Sequence, residues 1–214
     1  MSVKAVVFDF WGTLVATGTY SPMRQTHRLL APQHEFSEFV QIFETAFMTK
    51  EYRDQAEAFS VCCEAFGMPP RNYMISRLIG IWNKNKILAQ LFPDTVETLD
   101  ALKKKGIKIG VVSNTDCFGM DMLFDRLEIK NFIDVVHFSF RTGILKNDSS
   151  AVDAMLQELG VSKDETLMVG DSVESDMACA QAVGIKGILV DRKNKREFSP
   201  KIVDLRELVK LLEE

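Results

Sequence analysis

Residues 3–14, VKAVVFDFWGTL, combine a short apolar run with polar residues that follow it directly. The apolar residues 6–8 lead straight into the carboxylate of Asp9, and Gly12 and Thr13 come next. A short, β-branched-rich apolar stretch bounded by a turn signal is typical of a strand buried on both faces of a parallel sheet. Open α/β sheets bind ligands at the carboxyl ends of such strands. The segment therefore predicts a first strand with Asp9 at a ligand-binding edge, although a strand ending in an Asx turn has the same pattern.

Strand and helix patterns alternate through the second half of the chain. Apolar strands are predicted at 107–112, 135–138, 166–169 and 187–190. Helices are predicted at 93–105, in a segment ending at 127, and at 148–159, 175–183 and 205–212. This alternation is typical of βαβ units with right-handed crossovers. The sequence thus predicts an α/β fold with a doubly wound parallel sheet.

The region between the first strand and this alternation has a different pattern. It shows helical periodicity at 21–30, 36–47, 52–66 and 72–88. Phe36, Phe39 and Phe43 fall at spacings of three and four, which places them on one face of an amphipathic helix. We predict that residues 1–15 and 91–214 form the α/β core and that residues 16–90 form an inserted helical domain.

Length and composition limit the possible classes of protein. The chain has 214 residues, 46% of them hydrophobic, which suits one large domain or a core with a smaller insertion. A net charge of −4 argues against a nucleic-acid or anionic-membrane surface as the main partner. There is no apolar run of the roughly 18 residues that span a bilayer, no signal-peptide pattern, and no metal-type spacing among the four cysteines. We expect a cytoplasmic monomer or homodimer that binds neither nucleic acid nor membrane.

Polar residues follow three of the predicted strands. They are Asp9, the pair Ser113 and Asn114, and Asp171, with Asp176 five residues further on. Because the carboxyl ends of parallel strands meet at one edge of the sheet, these side chains are expected in one pocket. Carboxylates repel each other unless a cation lies between them, and oxygen ligands suit Mg²⁺. The pattern predicts a magnesium site at this edge.

Two further residues extend the chemistry of this pocket. Ser113 can offer its hydroxyl to an anion, and Lys146, just before a predicted helix, can supply a fixed positive charge. Taken singly, Lys146 reads as a solvated charge and Asp176 as a favourable first-turn residue of a helix. Taken together with Asp9, these groups form a set suited to phosphoryl transfer.

The same residues resemble, in chain order, the four motifs of the haloacid dehalogenase-like (HAD) superfamily of hydrolases. The matches are residues 9–13 for the Asp-x-Asp-Gly-Thr motif, then Ser113, then Lys146, and finally Gly170 and Asp171 with Asp176. The third position of the first motif differs, because Trp11 stands where the family has Asp. The resemblance implies a Rossmann-like core whose helical cap is inserted after the first motif.

The resemblance also implies a role for each of these residues. Asp9 would be the nucleophile that forms an aspartyl-phosphate, with Ser113 and Lys146 as further catalytic groups. The residues implied to hold a small phosphorylated substrate are Thr13, Ser113, Asn114 and Lys146. The implied Mg²⁺ ligands are Asp9, the backbone carbonyl of Trp11, Asp171 and Asp176. Phosphoglycolate is a substrate typical of such caps, but no residue of this chain singles it out.

Trp11 leaves the reaction type open. In the family's phosphatases this position carries the carboxylate that protonates the leaving oxygen, and an indole has no titratable proton near neutral pH. The family's 2-haloacid dehalogenases carry Tyr there and need no such acid. We give the two acidic positions, Asp171 and Asp176, more weight and expect a Mg²⁺-dependent phosphohydrolase. The alternatives are a 2-haloacid dehalogenase, in which Asp9 attacks carbon, and a non-catalytic metabolite-binding protein.

Overall fold

The computed structural model describes residues 3–17 and 20–213. In chain order the strands are β1 (Ala5–Phe8), β2 (Val15–Ala16), β3 (Gln90–Leu91), β4 (Lys108–Ser113), β5 (Val135–Phe138), β6 (Thr166–Gly170), β7 (Lys186–Val190) and β8 (Lys201–Ile202). The helices are α1 (Pro22–Leu30), α2 (Phe36–Phe47), α3 (Gln55–Ala65), α4 (Asn72–Leu88), α5 (Thr95–Lys104), α6 (Met120–Arg126), α7 (Ser139–Thr142), α8 (Ser150–Leu159), α9 (Ala178–Val183) and α10 (Arg206–Leu211). Short turns of 3₁₀ helix cover Lys130–Phe132 and Lys163–Glu165, and a π-helical turn covers Val173–Met177.

Six strands form a parallel sheet in the order β5-β4-β1-β6-β7-β8. The central strand β1 pairs with β4 and β6, and Phe8 at its end lies opposite Val111 and Val169. This register brings the carboxyl ends of the three strands to the same edge. The architecture confirms the predicted doubly wound α/β fold.

The two faces of the sheet are covered by different helices. Because side chains alternate along a strand, Val6 and Phe8 pack on one face, while Ala5 and Val7 pack on the other. Helices α5, α6 and α10 supply apolar side chains to the first face, and α8 and α9 supply them to the second. Burial on both faces explains why β1 reads as a continuous apolar run.

Helices α1 to α4 have an apolar core of their own. Ring centroids lie 4.6 Å apart for Phe47 and Phe59 and 5.4 Å apart for Phe43 and Trp82. The indole Nε1 of Trp82 donates to the buried hydroxyl of Thr26 at 2.9 Å, so the one polar atom of this large ring is satisfied. We call this four-helix unit, residues 22–88, the helical insertion.

The limits of the two predicted domains stay a prediction. Residues 1–2, 18–19 and 214, which fall within those limits, lie outside the described residues. The insertion begins after β2 and ends before β3, and these two strands pair antiparallel with Val15 opposite Leu91. The backbone oxygen of Leu14 accepts from Phe92 N at 3.1 Å and from Thr95 Oγ1 at 2.8 Å. Both connections to the insertion are therefore joined to each other beside the first motif.

Arg192, from the segment after β7, fastens these connections to the core. Its Nη2 donates to the backbone oxygen of Thr13 at 2.8 Å, and its Nη1 donates to Asp94 Oδ2, also at 2.8 Å. The guanidinium lies 3.6 Å from the ring centroid of Phe92. Asp94 also accepts from Leu205 N at 2.7 Å and is buried. The Arg192 guanidinium thus contacts both segments that connect the insertion to the core.

Several elements differ from the sequence prediction at their ends. The predicted helix 52–66 begins at Gln55, because Asp54 accepts a hydrogen bond from Glu57 N at 2.9 Å and caps it. The predicted helix 175–183 is a π-helical turn followed by α9. Strands β2, β3 and β8 were not predicted, because two-residue strands carry no periodicity. Among the residues described, no helix combines the length and apolar character needed to cross a bilayer.

Replacing Arg192 tests its place in this network. Arg192→Met keeps an apolar stem but leaves the buried Asp94 carboxylate without its cation. We expect a loss of about 3–5 kcal/mol in the free energy of unfolding, measured by urea denaturation. The matched control is Lys104→Met, which breaks the exposed pair with Asp100 and should cost less than about 1 kcal/mol. Equal losses of unfolding free energy in the two variants would contradict the stabilising role given to Arg192.

Candidate active site

The predicted site residues gather at the carboxyl edge of the sheet. Asp9 follows β1, Ser113 ends β4, and Asp171 follows β6. Asp176 lies in the π-helical turn, and Lys146 lies between α7 and α8. All except Asp171 are buried, with no more than 5% of each residue exposed. The structure therefore brings together side chains that are far apart in the sequence.

Lys146 connects two of the three carboxylates. Its Nζ donates to Asp9 Oδ1 and, at 2.7 Å, to Asp176 Oδ1. Burial alone would lower the pKa of this ammonium, but the charges of Asp176 and Asp9 outweigh burial and raise its pKa above the ordinary value. Lys146 is therefore a fixed positive charge.

The three carboxylates leave room for a further cation. One oxygen from each of Asp9, Asp171 and Asp176 lies within 4.8 Å of the others. Burial, together with repulsion from the neighbouring carboxylates, raises the pKa of Asp9 to about 8 against the opposing effect of Lys146. Burial and Asp176 likewise raise the pKa of Asp171 to about 6. One ammonium does not balance three carboxylates, so the donor set fits a divalent, oxygen-preferring ion such as Mg²⁺.

Two glycines allow the backbone to approach these carboxylates. Gly12 has a φ of +88°, and a Cβ built there would overlap the carboxylate of Asp171. A Cβ at Gly170 would overlap the side chain of Asp176. The glycines of the first and fourth motifs are thus required by close packing against the acidic groups.

Ser113 and Thr13 present buried hydroxyls. Within the described part of the chain, neither Oγ atom has a hydrogen-bond partner. Buried polar atoms are normally paired, but among the described residues Thr98 Oγ1 and Arg192 Nε are unpaired as well, so this state leaves the two hydroxyls free to donate without by itself marking a site. The two hydroxyls are suited to donate to an anion.

Asn114 contacts protein groups at both ends of its amide. Its Oδ1 accepts from Lys146 N at 2.8 Å, and its Nδ2 donates to Glu44 Oε2 at 2.7 Å. Glu44 belongs to α2 of the helical insertion. We did not predict it from the sequence, because nothing in the pattern of α2 shows which residue meets the core.

Trp11 is oriented by the core. Its ring packs edge-to-face on Phe10 with centroids 5.0 Å apart, and its Nε1 donates to Thr115 Oγ1 at 3.3 Å. The single donor of the indole is therefore committed to a neighbouring loop. Arg196, also missed from the sequence, donates to the backbone oxygen of Asp171.

The tight contact at Gly12 leads to a test. Gly12→Ala should displace Asp171 and weaken Mg²⁺ binding about tenfold or more, measured by calorimetry, since the disturbed carboxylate belongs to the proposed ligand set. Gly67→Ala is the matched control, because Gly67 also has a positive φ, +67°, but open space around its Cβ position. Similar Mg²⁺ affinities in the two variants would show that the contact with Asp171 is unimportant.

Curated relatives fall into two groups by name. The ribulose-1,5-bisphosphate 5-phosphatase of Halopiger xanaduensis is 35% identical over 101 residues, which cover 47% of this chain and 42% of that protein. The glyceraldehyde 3-phosphate phosphatase of Methanopyrus kandleri is 23% identical in an alignment that covers 93% of this chain and 88% of that protein. The (S)-2-haloacid dehalogenase 1 of a Pseudomonas species is 26% identical over 98% of this chain and 96% of that protein.

Solved structures show the same fold. A HAD phosphatase from Thermococcus onnurineus superposes with a TM-score of 0.65 at 24% identity, covering 98% of both chains. A 2-haloacid dehalogenase from Pseudomonas syringae gives a TM-score of 0.67 at 20% identity, covering 99% of this chain and 98% of that one. A sequence model of the haloacid dehalogenase-like hydrolases matches residues 3–184. With that match over most of its length, the chain belongs to the haloacid dehalogenase-like hydrolase family.

Proposed function

We propose that the protein is a Mg²⁺-dependent phosphohydrolase of small phosphorylated metabolites, acting through a phosphoryl group carried on Asp9. The observation that carries this proposal is the convergence of three carboxylates, two of which form ion pairs with a single lysine. An Asp nucleophile that attacks carbon has no need of a divalent cation, or therefore of three carboxylates placed to hold one. A nucleophile that attacks a phosphate dianion needs additional positive charge at the same place.

Each residue of the site has a definite part in this reaction. Asp9 Oδ1 is held by Lys146, so the other oxygen is oriented to attack phosphorus. The Lys146 ammonium reduces the repulsion between the Asp9 carboxylate and the incoming phosphate. The unpaired hydroxyls of Ser113 and Thr13 donate to phosphoryl oxygens. Asn114 orients the Lys146 backbone, because its side-chain oxygen Oδ1 accepts from Lys146 N.

The residues that would hold Mg²⁺ are Asp9, the Trp11 backbone carbonyl, Asp171 and Asp176. When bound, the ion supplies positive charge that stabilises the phosphoryl group during transfer. Asp171 is the ligand whose removal disturbs the rest of the site least, because Lys146 bridges the other two carboxylates and not this one.

The position of the helical insertion is consistent with a small substrate. Leu145, beside Lys146, packs against the apolar core of the insertion, and Glu44 of the insertion accepts from Asn114, so the insertion contacts the edge of the sheet where the site lies. The phosphatase relatives above are named for small phosphorylated compounds. Phosphoglycolate stays one candidate among such compounds. The oligomeric state and the cytoplasmic location also stay predictions.

A second candidate function is 2-haloacid dehalogenation. Trp11 in place of the acid, and the similarity to a haloacid dehalogenase along almost the whole chain, favour it. A panel of phosphorylated metabolites with and without Mg²⁺, run beside 2-chloropropionate in EDTA, separates the two. Metal-dependent release of phosphate supports the first function, and metal-independent release of chloride supports the second.

Asp9→Asn tests the nucleophile. The variant keeps the shape of the side chain but loses the attacking anion, so turnover should fall by at least about 10⁴-fold. Because Lys146 keeps its ion pair with Asp176, the midpoint of thermal unfolding should stay close to that of the wild type. Asp164→Asn, at an exposed position, serves as the control and should keep full activity. Activity near the wild-type level in Asp9→Asn would exclude Asp9 as the nucleophile.

Asp171→Ala tests the metal site. Removing this carboxylate should weaken Mg²⁺ binding about 10–100-fold in calorimetry, because one charged ligand is lost. EDTA should abolish turnover by the wild type, and added Mg²⁺ should restore it. Asp164→Ala is the control for the loss of an exposed carboxylate. Unchanged Mg²⁺ affinity in Asp171→Ala would place the ion elsewhere.

A further inference from the structure

The helical insertion brings one carboxylate to the candidate active site. Glu44 Oε2 lies 2.7 Å from Asn114 Nδ2, and Asn114 follows Ser113 directly. Among the described acidic residues of α2, Glu38 pairs with His34 inside the insertion instead. Glu44 is therefore the carboxylate of this helix that the fold directs toward the site.

The surroundings of Glu44 favour its protonated form. Burial raises its pKa, and the charge of Asp176 adds to the effect. The hydrogen bond from Asn114 and the charge of Lys146 oppose it, but the pKa stays above the ordinary value. Asn114 donates to one oxygen only, so the carboxyl group has a second oxygen on which a proton can reside.

Among the described residues of the site, the other carboxylates already have proposed parts, with Asp9 as the nucleophile and Asp171 and Asp176 as metal ligands, so none of them is left to protonate the leaving group. Trp11 stands at the position of the family's acid and has no titratable proton, and its indole N–H is bonded to Thr115. Lys146 is held between two carboxylates as a fixed cation. A phosphate monoester with an alkyl leaving group needs a proton donor, which is typically worth about 10²–10⁴ in rate.

We propose that Glu44 is the general acid and base of this enzyme, supplied by the helical insertion in place of the missing carboxylate at position 11. This inference rests on the proposed phosphohydrolase function. It assigns a catalytic role to a residue outside all four motifs.

The two half-reactions balance with Glu44 as the proton carrier. Asp9 forms a bond to phosphorus while the bond from phosphorus to the leaving oxygen breaks, and that oxygen takes the proton of Glu44. Water then forms a bond to phosphorus and gives a proton to Glu44. The bond between phosphorus and Asp9 breaks, which regenerates the Asp9 carboxylate and the protonated Glu44. The net reaction converts a phosphate monoester and water into an alcohol and inorganic phosphate.

The dependence of rate on leaving-group pKa tests this role. Wild type, Glu44→Gln and the control Glu38→Gln are assayed with Mg²⁺ on a series from p-nitrophenyl phosphate to alkyl phosphates. Glu44→Gln keeps an oxygen that accepts from Asn114 but carries no ionisable proton. We expect its kcat/KM, which reports formation of the phosphoryl-enzyme, to fall about 10²-fold or more on alkyl phosphates, within the range of acid catalysis, and less than about 3-fold on the aryl substrate. Glu38→Gln should match the wild type throughout.

A second variant separates chemistry from packing. Trp11→Asp restores a carboxylate at the family position, and in the Glu44→Gln background it should recover alkyl phosphate turnover. A purely structural role of Glu44 would lower kcat/KM for all substrates alike, and this outcome would overturn the inference. A loss of kcat common to all substrates is expected, because the second half-reaction loses its base. The inference would also be overturned if the rate of Glu44→Gln depended on leaving-group pKa as steeply as the wild-type rate does. That outcome would leave the phosphohydrolase function in place. If the wild type hydrolyses no phosphate ester, the proposed function itself fails, and the role of Glu44 falls with it.

Discussion

The ion pairs of Lys146 are the interaction on which the rest of the site depends. Asp9 and Asp176 are both buried, and two buried carboxylates with oxygens within 4.8 Å of each other would repel strongly without a cation between them. Lys146 supplies that cation from a third part of the chain and contacts both. The parallel sheet makes this possible, because it presents the ends of distant strands at one edge. The sheet edge that brings the two carboxylates together thus also brings the lysine that neutralises them.

The close contacts around the carboxylates follow from this arrangement. Gly12 and Gly170 lie so near to Asp171 and Asp176 that any side chain would occupy the same space. The loop after β1 is held from its other side by Arg192, which contacts the Thr13 backbone. The position of the nucleophile is consequently set by backbone contacts on one side and by an ion pair on the other.

Much of this could be predicted from the sequence, for physical reasons that apply to particular residues. Asp9, Ser113 and Asp171 each follow an apolar strand, and the geometry of a parallel sheet then implies that they meet. Glu44 could not be found in this way, because its role depends on how α2 packs on the core, and helical periodicity does not encode that contact. Arg192 was missed for a similar reason: its partners Thr13 and Asp94 are remote in sequence. The roles of the site residues remain predictions until the variants are measured.

The separate apolar core of the helical insertion has a consequence for divergence. The Phe43, Phe47 and Trp82 cluster packs apart from the residues that stabilise the sheet. Substitutions there should change the free energy of unfolding independently of substitutions in the core of the sheet, because sites without shared partners behave additively. If Glu44 acts as proposed, however, a lineage that exchanged its insertion would change its substrate preference and its proton donor in one event. Selectivity and reactivity would then be inherited as a single unit.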